Sequence, residues 1–172
     1  MTEEMKAKLE KSVEGFHLPR YEELPDVGLY LDQVVKYVNR YMYLAKDYEL
    51  TPSMVSNYVK QKIVPGPTKK SYAPETIAYL IFVAYMKMIL PMDMIRYMIS
   101  VQQESYSIQT AYGYFCEEFE NLLQLVFGLK DHPDEVGQDH TDQKELLHSA
   151  LLSIIHKIYL ESYLRFLQET LQ

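Results

Sequence analysis

The sequence has one cysteine, Cys116, and no tryptophan. A lone cysteine rules out an intramolecular disulfide framework and every metal site built on paired thiolates. Long apolar runs are also missing. The most apolar stretch, Ile77 to Leu90, is interrupted only by Lys87 and falls short of the roughly 20 residues a membrane span requires, so it reads as a buried helix. The opening Met-Thr-Glu-Glu has no apolar segment flanked by basic residues and closed by a small-residue cleavage site, and a cytoplasmic location is the expectation. No glycine-rich phosphate loop, nucleophile elbow, paired-carboxylate motif or zinc motif occurs. The expectation is therefore no enzyme, no cofactor and no metal.

Positive charge is scarce overall, with a net charge of -7 over 172 residues, and it is unevenly placed. Residues 1–28 carry -3, residues 73–128 carry -4 and residues 129–172 carry -4, whereas residues 29–72 carry +4. Within that block, residues 50–72 hold Lys60, Lys62, Lys69 and Lys70 and no acid. A basic island on an acidic chain marks a candidate nucleic-acid footprint. The remaining composition, 48% hydrophobic and 24% charged, is that of an ordinary globular protein. Its sixteen tyrosines serve equally as core and as interface residues.

Periodicity divides the chain. The first dozen residues form a short charged helix or a frayed end. His17 to Pro25 contains two prolines and reads as an extended arm. Leu31, Val34, Val35, Val38, Tyr41 and Met42 recur at three- and four-residue spacing, which predicts a helix from Leu29 to about Ala45. Thr51-Pro52 is a helix start, with the hydroxyl as cap and the proline in the first turn. The helix it opens runs to about Lys62 and presents Ser53, Ser56, Asn57 and Lys60 opposite the apolar Val55, Tyr58, Val59 and Ile63. Pro65-Gly66-Pro67 then breaks the chain, and Ile63 to Tyr72 has the length of a tight β-hairpin carrying Lys69 and Lys70. Further helices are expected from Pro74, from Pro91 to Ile99, over 106–128 and from Lys144 to Leu171. Between the last two, residues 130–142 read as a solvated acidic loop.

A helix with a small polar and basic outer face, followed by a basic hairpin, suits a DNA reader. The helix enters the major groove, where serine, asparagine and lysine bond base edges, and the hairpin lysines neutralise phosphates. The candidate DNA-binding residues are Thr51, Ser53, Ser56, Asn57, Lys60, Lys62, Lys69 and Lys70. The bland alternative is a solvated helix face followed by a lysine turn.

The stretch from Leu50 to Ile99 resembles the DNA-binding head of the MerR family. Leu50 to Pro65 aligns without a gap with that family's recognition helix and turn. Tyr72 sits at the tyrosine that closes its wing, and Ile77, Leu80, Val83, Met92 and Ile95 follow its next two helices. Lys62 stands where the family has glycine and Lys70 where it has a wing arginine, while Ser56 and Asn57 replace an arginine and an aromatic. The resemblance implies a mainly α, winged helix-turn-helix fold with a small β-hairpin wing and a C-terminal helical region for dimerisation. The wider sequence, including Leu18-Pro19-Arg20-Tyr21, Tyr30-Leu31-Asp32-Gln33-Val34 and Ala78-Tyr79-Leu80-Ile81-Phe82, is similar to a bacterial family described as domain of unknown function 1836.

The domain reading is an N-terminal arm over 1–28, a winged head over 29–100 and a helical region over 101–172. The functional expectation is a sequence-specific transcriptional regulator that binds double-stranded DNA through residues 51–62 and 63–72. It is expected to act as a homodimer, with the helices at 106–128 and 144–171 both contributing. The rival expectation is a protein-interaction module on the same scaffold that does not bind DNA. Four smaller readings go with this. The aromatic residues at 106–127 are core, with a small-molecule effector pocket as the alternative. Cys116 is core rather than a redox sensor. His132, Asp134, Glu135, Asp139 and His140 belong to a solvated loop rather than a metal site, and His148 and His156 are partly buried helix residues.

Overall fold

The computed structural model describes residues 2–137 and 140–170. Among them are seven α-helices: α1 (Glu3–Val13), α2 (Leu31–Arg40), α3 (Pro52–Lys60), α4 (Pro74–Met86), α5 (Met92–Ser105), α6 (Ile108–Val126) and α7 (Asp142–Thr170). Two short 3-10 turns, Tyr21–Glu23 and Lys46–Tyr48, interrupt the connections. No strand occurs among the described residues, where β pairing is limited to the isolated bridges Leu29 with Tyr72 and Thr68 with Ser71. The chain divides into two compact units, residues 18–116 and residues 1–17 with 117–172.

The unit of residues 18–116 is built around α4. Ten of the thirteen residues of α4 are buried, among them Ile77, Leu80, Ile81, Val83 and Tyr85. A helix apolar on all sides must be surrounded. α2 packs on it and presents Val34, Val35 and Val38 inward. Aromatic residues from the start of α6 complete this core, with Phe82 edge-on to Phe115 and Tyr112 beside Phe115. Cys116 is fully buried and its thiol donates to the Pro19 carbonyl, which makes it a core residue. The Tyr85 hydroxyl donates to the Tyr41 carbonyl at 2.5 Å.

In the other unit, α1 lies on α7 and buries Met5, Leu9 and Val13. The opening residues are therefore an ordered helix, capped by the Thr2 hydroxyl accepting from the Met5 N–H at 3.3 Å. Phe119, Leu122, Leu123 and Phe127 from α6, with Leu151, Ile154, Ile155 and Ile158 from α7, fill the core. Gly128 ends the α6 segment at φ 82°, and the next N–H, of Leu129, closes back on the Gln124 carbonyl at 2.8 Å. That is the usual glycine-terminated helix stop. Glu118 is a buried carboxylate satisfied by His148 Nδ1 at 2.5 Å and by the Asn121 amide at 3.1 Å. Asn121 in turn holds the Asp134 backbone, and Lys130 bridges Asn121 and Asp134, so the acidic loop is tied down at this point.

The β-hairpin wing expected over residues 63–72 does not form, and the winged fold class is corrected accordingly. Pro65 and Pro67 remove two donors from the strand that a ladder would need. Ile63 and Val64 turn into the core, and the Pro65 carbonyl accepts from the Thr76 hydroxyl at 3.1 Å. Across the turn, Tyr72 pairs with Leu29 of the N-terminal arm rather than with residues 63–67. What remains of the hairpin is its tip.

Candidate nucleic-acid interface

Helix α3 starts as its sequence dictates. The Thr51 hydroxyl accepts from the Met54 N–H at 3.2 Å, and Pro52 occupies the first turn. The preceding chain is anchored to α2 by Asn39, whose side chain donates to the Leu50 carbonyl at 2.9 Å and accepts from the Leu50 N–H at 2.8 Å. This two-way bond fixes where α3 begins. Val55 and Tyr58 are buried, so the opposite face must point outward. Ser53, Ser56, Asn57 and Lys60 are all exposed on it, as is Thr51 at its start. Gln61 Nε2 donates to Asn57 Oδ1 at 3.1 Å, which leaves the Asn57 amide hydrogens facing outward as donors.

The helix ends on Lys62, which adopts φ 56°. Its N–H bonds the Val59 carbonyl and the Ile63 N–H bonds the Tyr58 carbonyl, both at 2.9 Å. This is a helix stop with a left-handed residue, the position glycine normally fills. Lys69 and Lys70, at φ 50° and 67°, form the two central residues of a tight turn. Thr68 and Ser71 exchange both backbone bonds across it at 2.9 Å. Such a turn requires positive φ at both positions and normally takes asparagine and glycine. Left-handed backbone costs an L-residue on the order of 1 kcal/mol, and all three lysines are exposed. A glycine at any of them would relieve strain; what lysine adds is a solvent-facing charge.

Two neighbours hold these pieces. Gly66 backs onto α3 so closely that a Cβ there would lie 3.2 Å from Val59 Cγ1. Gly28 of the arm, at φ 72°, lies against the lysine turn, where a Cβ would sit 2.1 Å from Ser71 Oγ. The Leu29–Tyr72 bridge, with bonds of 3.1 and 2.8 Å, follows directly.

Sequence reasoning missed one cation. Arg96 of α5 donates to Gln61 Oε1 at 3.4 Å and so joins Lys60 and Lys62 as a third positive group at the C-terminal end of α3. It lies in a block of net charge -4, and only the fold returns it to the basic segment. Lys87 approaches the same helix at its start, bonding the Glu49 carbonyl at 3.3 Å, and burial lowers its pKa.

The other candidates resolve differently. Tyr112, Phe115, Phe119 and Phe127 are buried core residues. His156 is exposed, while His148 pairs with Glu118. Asp139 lies outside the described residues. Among those described, no group of three or more His, Cys, Asp or Glu gathers as a metal site, and no helix is long and apolar enough to cross a membrane.

The geometry thus defines an all-helical protein that presents an acid-free, lysine-bearing helix and turn to solvent. The chain belongs to the family described as domain of unknown function (DUF1836), which matches residues 19–115. That match covers more than half of the chain and includes α3 and the lysine turn. No curated protein and no solved structure matches it.

Proposed function

We propose that this protein is a sequence-specific DNA-binding regulator whose reading element is α3. Ser53, Ser56, Asn57 and Lys60 face base edges, and Thr51, Lys62, Lys69 and Lys70 face the phosphates on either side. The observation that carries this reading is the trio of lysines held exposed in left-handed backbone. Local strain retained at exposed positions is a sign of functional use, and here the retained property is charge. Hydrogen-bonding side chains in the middle and cations at the margins match the division of labour between base readout and phosphate positioning.

The likeness to the MerR head lends support through the recognition helix and the two helices that follow it. It does not extend to the wing, and residues 41–51 between α2 and α3 are longer than the three- or four-residue connection of a helix-turn-helix. A protein-interaction module is the second reading, favoured by Met94 and Tyr97, which stand 51% and 65% exposed on α5. Electrophoretic mobility shifts with the wild type and a Lys69→Glu, Lys70→Glu variant decide between them. The DNA reading expects the variant to lose binding almost completely. Binding retained by the variant overturns Lys69 and Lys70 as phosphate contacts, and no binding by the wild type to any duplex favours the interaction module.

A further inference from the structure

The end of α3 carries a chain of side-chain hydrogen bonds that runs in one direction. Arg96 of α5 donates to Gln61 Oε1 at 3.4 Å, and Gln61 Nε2 donates to Asn57 Oδ1 at 3.1 Å. The Gln61 backbone N–H also bonds the Asn57 carbonyl, at 2.9 Å. A side-chain amide has a donor end and an acceptor end of nearly the same shape, so size alone does not decide which end faces a neighbour. The guanidinium decides it here, because it has donors and no acceptor. Gln61 must offer Arg96 its oxygen and therefore turns its NH2 to Asn57, and Asn57 must answer with Oδ1. Reversing either amide sets donor against donor, a conflict that sharpens when a docked duplex excludes water.

Asn57 is exposed on the outer face of α3. With Oδ1 committed to Gln61, what it offers to a ligand is the two hydrogens of its NH2. Lys60, one turn further on, likewise offers donors only. In the major groove guanine presents two adjacent acceptors, N7 and O6, and thymine a single one, O4. Adenine presents N7 beside the N6 donor, and cytosine presents the N4 donor. An asparagine free to turn takes adenine, donating to N7 and accepting from N6. An asparagine whose oxygen is held along the helix does not complete that pair, and its two hydrogens suit the two acceptors of guanine.

We propose that Asn57 selects guanine rather than adenine in the bound sequence, and that Gln61, oriented by Arg96, is the positioning residue that sets this choice. The proposal rests on the DNA-binding reading of α3 and adds to it the identity of one base. It runs against the usual pairing of asparagine with adenine, so the two bases separate it from an unconstrained side chain.

The test is selection of bound duplexes from a randomised library with the full-length wild type and Asn57→Ala. The position whose preference Asn57→Ala removes is then varied through all four base pairs in anisotropy titrations. The wild type is expected to bind guanine there about tenfold or more tighter than adenine. The carboxylate introduced by Gln61→Glu has acceptors only, so it keeps Arg96 and turns the Asn57 NH2 inward and Oδ1 outward. Its preference is expected to pass from guanine to a base that presents a donor, adenine or cytosine, whatever happens to overall affinity. Gln61→Leu, which only releases Asn57, is expected to bind adenine as well as guanine and serves if the glutamate variant fails to fold. Adenine preferred by the wild type, guanine still preferred after both changes at Gln61, or no position that responds to Asn57→Ala overturns the assignment while DNA binding stands. A wild type that enriches no sequence overturns the DNA reading and this assignment together.

Discussion

Replacing Lys62 by glycine separates stability from binding at a single position. Lys62 ends α3 at φ 56°. An L-residue there costs about 1–2 kcal/mol relative to right-handed backbone, whereas glycine at the same place loses about 0.5–1 kcal/mol more unfolded-state entropy. The net expectation is that Lys62→Gly stabilises by about 0.5–1 kcal/mol. For a unit the size of residues 18–116 that is a rise in Tm of roughly 2–8 °C. The same change removes one cation from the surface assigned to phosphate. DNA affinity is therefore expected to fall, and the slope of log K against log salt to become shallower by about 0.9. Lys62→Ala is the control: it removes the charge and keeps the strain, so affinity falls by a similar factor with no gain in Tm. Calorimetry and fluorescence anisotropy on the three proteins give both readouts. The reasoning is refuted if glycine leaves Tm unchanged or lowers it, or if affinity survives the loss of the lysine.

Gly28→Ala is expected to destabilise residues 18–116 by about 2 kcal/mol or more in urea titration, since φ 72° and a 2.1 Å approach to Ser71 Oγ both oppose a Cβ. The Tyr112 hydroxyl is buried with no hydrogen-bond partner among the described residues. Tyr112→Phe is therefore expected to be neutral or to stabilise by up to about 1 kcal/mol, whereas Tyr85→Phe loses the bond to the Tyr41 carbonyl and is expected to cost about 1 kcal/mol by the same titration. Arg96→Ala is expected to weaken DNA binding. Burial raises the phenol pKa of Tyr37, Tyr85 and Tyr112 above the ordinary value. The unfolded chain releases these protons near pH 10 and the folded chain holds them. Stability is thus complete below pH 10 and falls as pH rises beyond it. Tyrosinate absorbance from these residues should appear together with loss of helical dichroism; absorbance that precedes unfolding would contradict their burial.

Helices were legible in the sequence wherever burial on one face is enforced by spacing. Val34, Val35 and Val38 announced α2, and Thr51-Pro52 fixed the start of α3 to the residue, because a cap is a local interaction. The wing was not legible. Residues 63–72 have the length and turn chemistry of a hairpin, but pairing depends on which edges are free. Two prolines and the burial of Ile63 and Val64 took one edge away, and Leu29, over forty residues earlier, took the other. The opening helix was half legible: its charges were evident, but the burial of Met5, Leu9 and Val13 depends on α7, far along the chain. The exposed face of α3 followed from period alone, because knowing the buried side fixes the other. Arg96 did not, since only the fold carries α5 back to Gln61. Neither did the left-handed lysines, because lysine carries no local signal for positive φ.

The most direct measurement of the central claim is selection of bound duplexes from a randomised DNA library, followed by anisotropy titration of the enriched sequence across a salt series. The account predicts enrichment of a defined sequence. With Lys62, Lys69 and Lys70 on phosphates, it also predicts a log–log salt slope of about -3 per chain. No enriched sequence, or an affinity indifferent to salt, would contradict it.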